Sequence, residues 1–264
     1  MNIIRNISLV CFFVFFLPKI CLAAQQATIH KLIGLDLGYG TFSFAEKIDQ
    51  KIVYPVANLT TALAYKRFIG VINISGSIDD AIISEESETG SASRTDIDFT
   101  TGYQFSKRFS GFIGYKNGET KYNWRSRPKD DSIILAPISL AKESYKQSGP
   151  YVGASINWKF EQAGKLSISV AYSKLNANNR FFSDGDGLEE GETKEFDDIN
   201  GKTSNKSTGY SYSLNWTMPL KGNLLFKTRF KTNSYTQDIK FEGETYKGIR
   251  EKSSILSVGL SGIF

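Results

Sequence analysis

Apolar side chains fall on every second position in ten separate runs between residue 33 and the end of the chain. The first reads Ile33, Leu35, Leu37 and Tyr39; the second Leu59, Thr61, Leu63 and Tyr65; the third Phe68, Gly70, Ile72 and Ile74. Others span 97–105, 109–115, 152–160, 166–172, 210–218 and 224–230, and the tenth runs to the terminal Phe264. A period of two is the signature of a strand with two unlike faces. No segment carries a helical period, so the pattern predicts an all-β chain of ten strands, with eight or twelve as the neighbouring even counts.

The connections alternate in length. Tight links containing YKRF, SKRF, EQAGK and PLKGN join strands two to three, four to five, six to seven and eight to nine. Long polar stretches join the others and are expected to be loops, together holding about as many residues as the strands. Short turns at one end and long loops at the other are the habit of an up-and-down transmembrane barrel. The repeated Lys-Arg-Phe-x-Gly-x-Ile at 66–72 and 107–113 reads as a copied hairpin turn.

The second face of each strand is small and polar, as in Ser167, Ser169, Ala171 and Ser173, or Ser211, Ser213, Asn215 and Thr217. A water-soluble barrel buries its apolar face, whereas a lipid-facing barrel turns that face outward and encloses the polar one. Two features favour the second arrangement. The polar faces are small rather than long and charged, and Phe68, Phe105, Phe109, Trp158, Phe160, Trp216 and Phe264 gather near the short links as an interfacial girdle.

The first 24 residues add a location. Arg5, an apolar run from Ile7 to Leu17, Pro18 and the small-residue stretch CLAA read as a secretory signal peptide, leaving a barrel domain of residues 25–264. Cys11 and Cys21 both lie in that leader, so the mature chain holds no disulfide. Removing Arg5 and Lys19 with no acid lowers the formal charge from +5 to +3. So slight and dispersed a bias gives no reason to expect nucleic acid as a partner.

Signal peptide, alternating strands and a terminal aromatic together resemble the outer-membrane β-barrel proteins of Gram-negative bacteria. The resemblance implies an up-and-down antiparallel transmembrane barrel with outer-membrane lipid and lipopolysaccharide around it. It also implies that the barrel-assembly machinery and periplasmic chaperones handle the chain during biogenesis. Leu256, Val258, Leu260 and Phe264 match the alternating C-terminal pattern that this machinery reads in the class, with Gly262 the weak position.

Catalytic barrels of the class rely on a histidine with Asp or Ser partners, and the single His30 precedes the first strand with no such partner nearby; no enzyme is expected. The acidic stretch 184–198 fails the EF-hand pattern, because Leu188 and Glu189 occupy the positions that need an oxygen ligand and Gly. It and Glu85, Glu86 and Glu88 read as solvated loop, or as carboxylates sharing divalent cations with lipopolysaccharide phosphates. No resident metal or cofactor is expected.

The candidate site is the lumen. Lys227, Arg229 and Lys231 on the ninth strand share the polar face with Asp96 and Asp98 on the fourth, five strands away and so opposite in a ring of ten. Asp36 on the first strand joins them. Open, these charges would line a narrow porin-like channel for passive diffusion of small solutes. The alternative is a plugged, non-conducting surface barrel that acts in adhesion or envelope structure through its loops. Ten strands lie nearer the filled eight-strand barrel than the aqueous sixteen-strand pore.

Overall fold

A computed structural model describes residues 29–45, 50–85, 88–126, 139–161, 163–184, 200–241 and 244–264. The expected signal peptide and residues 185–198 of the acidic stretch lie outside them. Eleven strands form one sheet: β1 (Ile29–Ala45), β2 (Gln50–Tyr65), β3 (Phe68–Ser77), β4 (Ala81–Glu85), β5 (Glu88–Gln104), β6 (Phe109–Ser126), β7 (Ser139–Phe160), β8 (Gly164–Asp184), β9 (Asn200–Pro219), β10 (Leu224–Phe241) and β11 (Glu244–Ile263). Each pairs antiparallel with its sequence neighbour, except that β3 and β4 both pair with β5, and β11 returns to pair with β1.

The ring therefore has ten staves, as the alternation predicts. The third stave is broken at residues 78–80, where Asp79 and Asp80 interrupt the alternation. β3 leaves its ladder with Gly76 opposite Thr95, and β4 resumes with Ala81 opposite Ala92. The break is stitched by Ile78 N donating to Pro55 O at 2.9 Å and Arg94 N donating to Ser77 Oγ at 3.2 Å.

The last residue closes the ring. Lys31 N donates to Phe264 O at 2.9 Å, and Phe264 N donates to Lys31 O at 2.8 Å. A closed sheet leaves no edge unpaired, which a hydrocarbon environment demands. The repeated turns share one structural job: Arg67 O accepts from Gln104 N and Arg108 O accepts from Asn157 N, both at 2.8 Å. Each Lys-Arg-Phe turn thus ties its hairpin to the next stave.

Strand length corrects the loop expectation. Apart from β3 and β4, the strands run 16 to 22 residues, while a bilayer needs about 9–11. Most of the polar stretches expected as loops are strand, and only residues 46–49, 86–87 and 242–243 separate three of the distal hairpins. The longer connections are 127–138 and 185–199; of the segment 183–204, the first two residues end β8 and the last five begin β9. The alternation does not stop where the apolar run stops: it changes polarity.

Candidate functional site in the barrel lumen

The outer wall sets the frame. Leu35, Leu37, Ile113, Val170, Val258 and Leu260 stand about half exposed on it. The aromatics expected as a girdle lie on this face near the short turns, and Trp216 Nε1 donates to Ala163 O at 2.7 Å. The lumen face has the opposite parity and falls into three levels.

Nearest the chain termini the inner wall is small: Ser167, Ser169, Ser213, Asn215, Thr217, Ser261. Two aromatics intrude. Phe112 on β6 lies over Gly153 of β7 and Tyr151 on β7 lies over Gly114 of β6, with the two rings edge to face at 6.3 Å. A Cβ at either glycine would strike the opposing ring, so glycine there makes room for an aromatic in the lumen.

The middle level is charged. All six residues singled out from sequence point inward here. Lys227 Nζ lies 2.8 Å from Asp36 Oδ2, and Asp36 is fully buried. Lys231 Nζ reaches across to Asp98 Oδ2 at 2.6 Å, joining β10 to β5 as the opposed walls suggest. Asp96 instead takes both oxygens to Arg94, at 2.8 and 2.9 Å. Arg229 Nη1 donates to Asn73 Oδ1 at 3.4 Å. The opposed walls are thus bonded to one another, not separated by an open field.

Three charged members of this level escape sequence reasoning. Arg94 also donates to Thr120 Oγ1 at 2.8 Å, lies 3.9 Å from Glu251 Oε1 and stacks its guanidinium on Phe42 at 4.7 Å. Glu251 accepts from Tyr145 Oη at 2.8 Å and from the Gln147 amide. Lys116 donates to Tyr235 Oη at 3.0 Å. Each stands on the luminal parity of its strand, so parity alone could have found them once the strands were drawn long enough.

The distal level is an apolar plug. Phe42, Ile52, Tyr54, Val56, Ile83, Tyr122, Trp124 and Tyr145 pack together there, each no more than 9% exposed. The plug fills the barrel bore above the charged level. Outside it the wall is mostly polar, with Lys51, Lys121, Lys146, Lys206 and Lys252 exposed and Val53, Ile82 and Phe182 among them. Below it a cavity of about 300 Å³ remains, lined by Lys116, Lys227, Arg229 and Lys231 among others. Above Arg229 the space shrinks to about 20 Å³.

The terminal residues Leu256, Val258, Leu260 and Phe264 are 50–71% exposed on the outer wall. His30 is exposed at the start of β1 opposite Ala64, at the end of the barrel away from the plug. Side chains of Glu85, Glu86 and Glu88 lie outside the described residues.

No protein-family model matches the chain, and no curated protein matches it. Solved structures do. The outer membrane protease OmpT from Escherichia coli is similar over 92% of this chain and 99% of its own, with 11% identity and a TM-score of 0.57. The translocator domain of autotransporter NalP from Neisseria meningitidis is similar over 98% of this chain and 93% of its own, at 10% identity and a TM-score of 0.48. At such identity the likeness to the protease is one of fold. A closed up-and-down barrel with an apolar outer band is the fold of the outer-membrane β-barrels, and the chain has that fold.

Proposed function

We propose that the protein is a non-conducting outer-membrane barrel that carries a rigid, surface-exposed extension for interactions outside the cell. The apolar plug carries this reading. Both termini and the short turns mark the periplasmic end, so the plugged half stands on the outer side. There the strands continue past the lipid band as a filled barrel. An extension with a packed core holds one shape, as a recognition surface needs and a set of free loops does not.

The narrow porin-like channel is the second reading, favoured by the small residues and the cavity at the periplasmic end. A solute crossing would have to pass the side chains of Phe42, Tyr54, Tyr122 and Trp124, all nearly inaccessible. The reading adopted includes no catalytic step, and His30 at the periplasmic end supports that. Lipopolysaccharide is the proposed lipid partner: Lys146, Lys174 and Lys206 present cations just above Tyr172 and Tyr210 on the outer wall. Phe264 with Leu256, Val258 and Leu260 is proposed as the signal for the assembly machinery, so deleting Phe264 should lower assembled barrel without reducing export.

Planar-bilayer recording of the refolded chain tests the main reading. A silent bilayer, with folding verified by heat-modifiable gel mobility, is expected. Steady unitary conductance steps would restore the channel reading.

A further inference from the structure

We propose that the cavity below the plug is a binding cup for a small phosphorylated anion, entered from the periplasmic end. Lys116, Lys227, Arg229 and Lys231 line it, and Asp98 is the carboxylate on its wall. Lys227 and Lys231 each hold a carboxylate, Asp36 and Asp98. Lys116 and Arg229 hold a phenol and an amide oxygen instead, and among the described residues neither has a carboxylate at ion-pair distance. Arg94 is shared by Asp96 and Glu251, so this level's cations outnumber its carboxylates by one, at the height where Tyr115 and Phe230 face lipid on the other side of the wall. Uncompensated charge in a membrane interior is costly, and the cup is where a compensating anion fits.

A phosphate monoanion balances that leftover charge. The Arg229 guanidinium offers the planar donor fork that suits phosphate oxygens, and the ammonium groups add point charges. Thr60, Ser169, Ser211, Ser213 and Asn215 supply hydroxyl and amide groups around the remainder of the cup. The volume of about 300 Å³ is that of roughly ten waters at ~30 Å³ each. That admits inorganic phosphate or a small phosphomonoester and excludes a polymer. The continuous β-ladder leaves a lipid headgroup no lateral route into it. Only the cup's being blind rests on the closed-lumen reading; the site itself does not.

The test is thermal melting and calorimetric titration of the refolded, full barrel in detergent, with inorganic phosphate against sodium chloride at matched ionic strength. Phosphate is expected to raise the melting temperature saturably and beyond chloride. Arg229→Gln should weaken the apparent affinity at least tenfold. Ser213→Leu, which fills the cup and keeps every cation, should weaken it as much, so the result does not hang on one variant folding. Lys51→Gln, on the outer wall, should leave it unchanged. Bilayer conductance separates the two readings: a conducting barrel that binds phosphate keeps the site and loses the closed outer end. The proposal is overturned if phosphate acts no differently from chloride, if Arg229→Gln and Ser213→Leu both retain full affinity, or if Lys51→Gln abolishes it.

Discussion

Along a single strand the barrel solves two opposite problems. On β10, Phe226 and Phe230 face outward while Lys227, Arg229 and Lys231 face the lumen; a few residues on, Ser234 and Thr236 face outward and Tyr235 is buried. β6 makes the same exchange, from Ile113 outside and Lys116 inside to Lys121 outside and Tyr122 and Trp124 inside. The backbone ladder is unbroken across the change. What reverses is the surrounding medium. Against hydrocarbon the apolar residues belong outside, and against water they belong in the bore, so the distal half is built as a water-soluble barrel fused to a membrane one.

The largest effect is expected in the plug. Phe42→Ala opens the plug and removes the ring beneath the Arg94 guanidinium. Truncating a buried Phe costs about 3–5 kcal/mol, so the midpoint of guanidinium unfolding in lipid vesicles should fall accordingly; an unchanged midpoint would mean that the plug contributes nothing. Next come two substitutions on the same outer face of β10. Phe230→Arg should cost about 2–4 kcal/mol if that side chain meets the hydrocarbon centre, while Thr236→Arg, above the lipid, should stay within about 0.5 kcal/mol. Equal costs at the two positions would abolish the boundary drawn between them.

The smallest effect is in pH. Glu143 faces inward in the distal extension, where burial pushes its carboxyl above the usual range against the opposing pull of the Asn179 amide, which donates at 2.6 Å. A carboxyl raised in the folded state takes up protons on folding, so its contribution is present below the ordinary carboxylate pKa and lost as pH rises through the raised value. Glu143→Gln keeps the acceptor and should flatten that decline in a stability profile run from pH 4 to neutrality, relative to wild type. A profile of unchanged slope would place the carboxylate in water.

The ten staves were legible because period-two alternation needs no knowledge of which face points where. The inward set Asp36, Asp96, Asp98, Lys227, Arg229 and Lys231 followed from parity alone. The distal half was not legible as strand, because its outward positions are mostly Lys, Ser, Thr and Asn, the composition of a loop. The signal lay on the other parity: Phe42, Tyr54, Tyr122, Trp124 and Tyr235 stand in line with the luminal residues of their own strands. Polarity also misleads inside the membrane. Ser257 reads as facing hydrated lumen, yet it is 2% exposed, and its backbone lies so close to Gly38 that a Cβ there would clash. Composition reports the face, and only packing reports whether water reaches it.

The reversal itself is measured most directly by nitroxide scanning along the outward face of β10. Single labels at 226, 228, 230, 232, 234 and 236 in reconstituted vesicles are read for collision with oxygen, which concentrates in lipid, and with a water-soluble nickel chelate. Oxygen should dominate from 226 to 230, and the chelate should take over at 234 and 236. Oxygen dominance through 236, or chelate dominance at 226 and 228, would contradict a barrel that changes its solvent halfway along each strand.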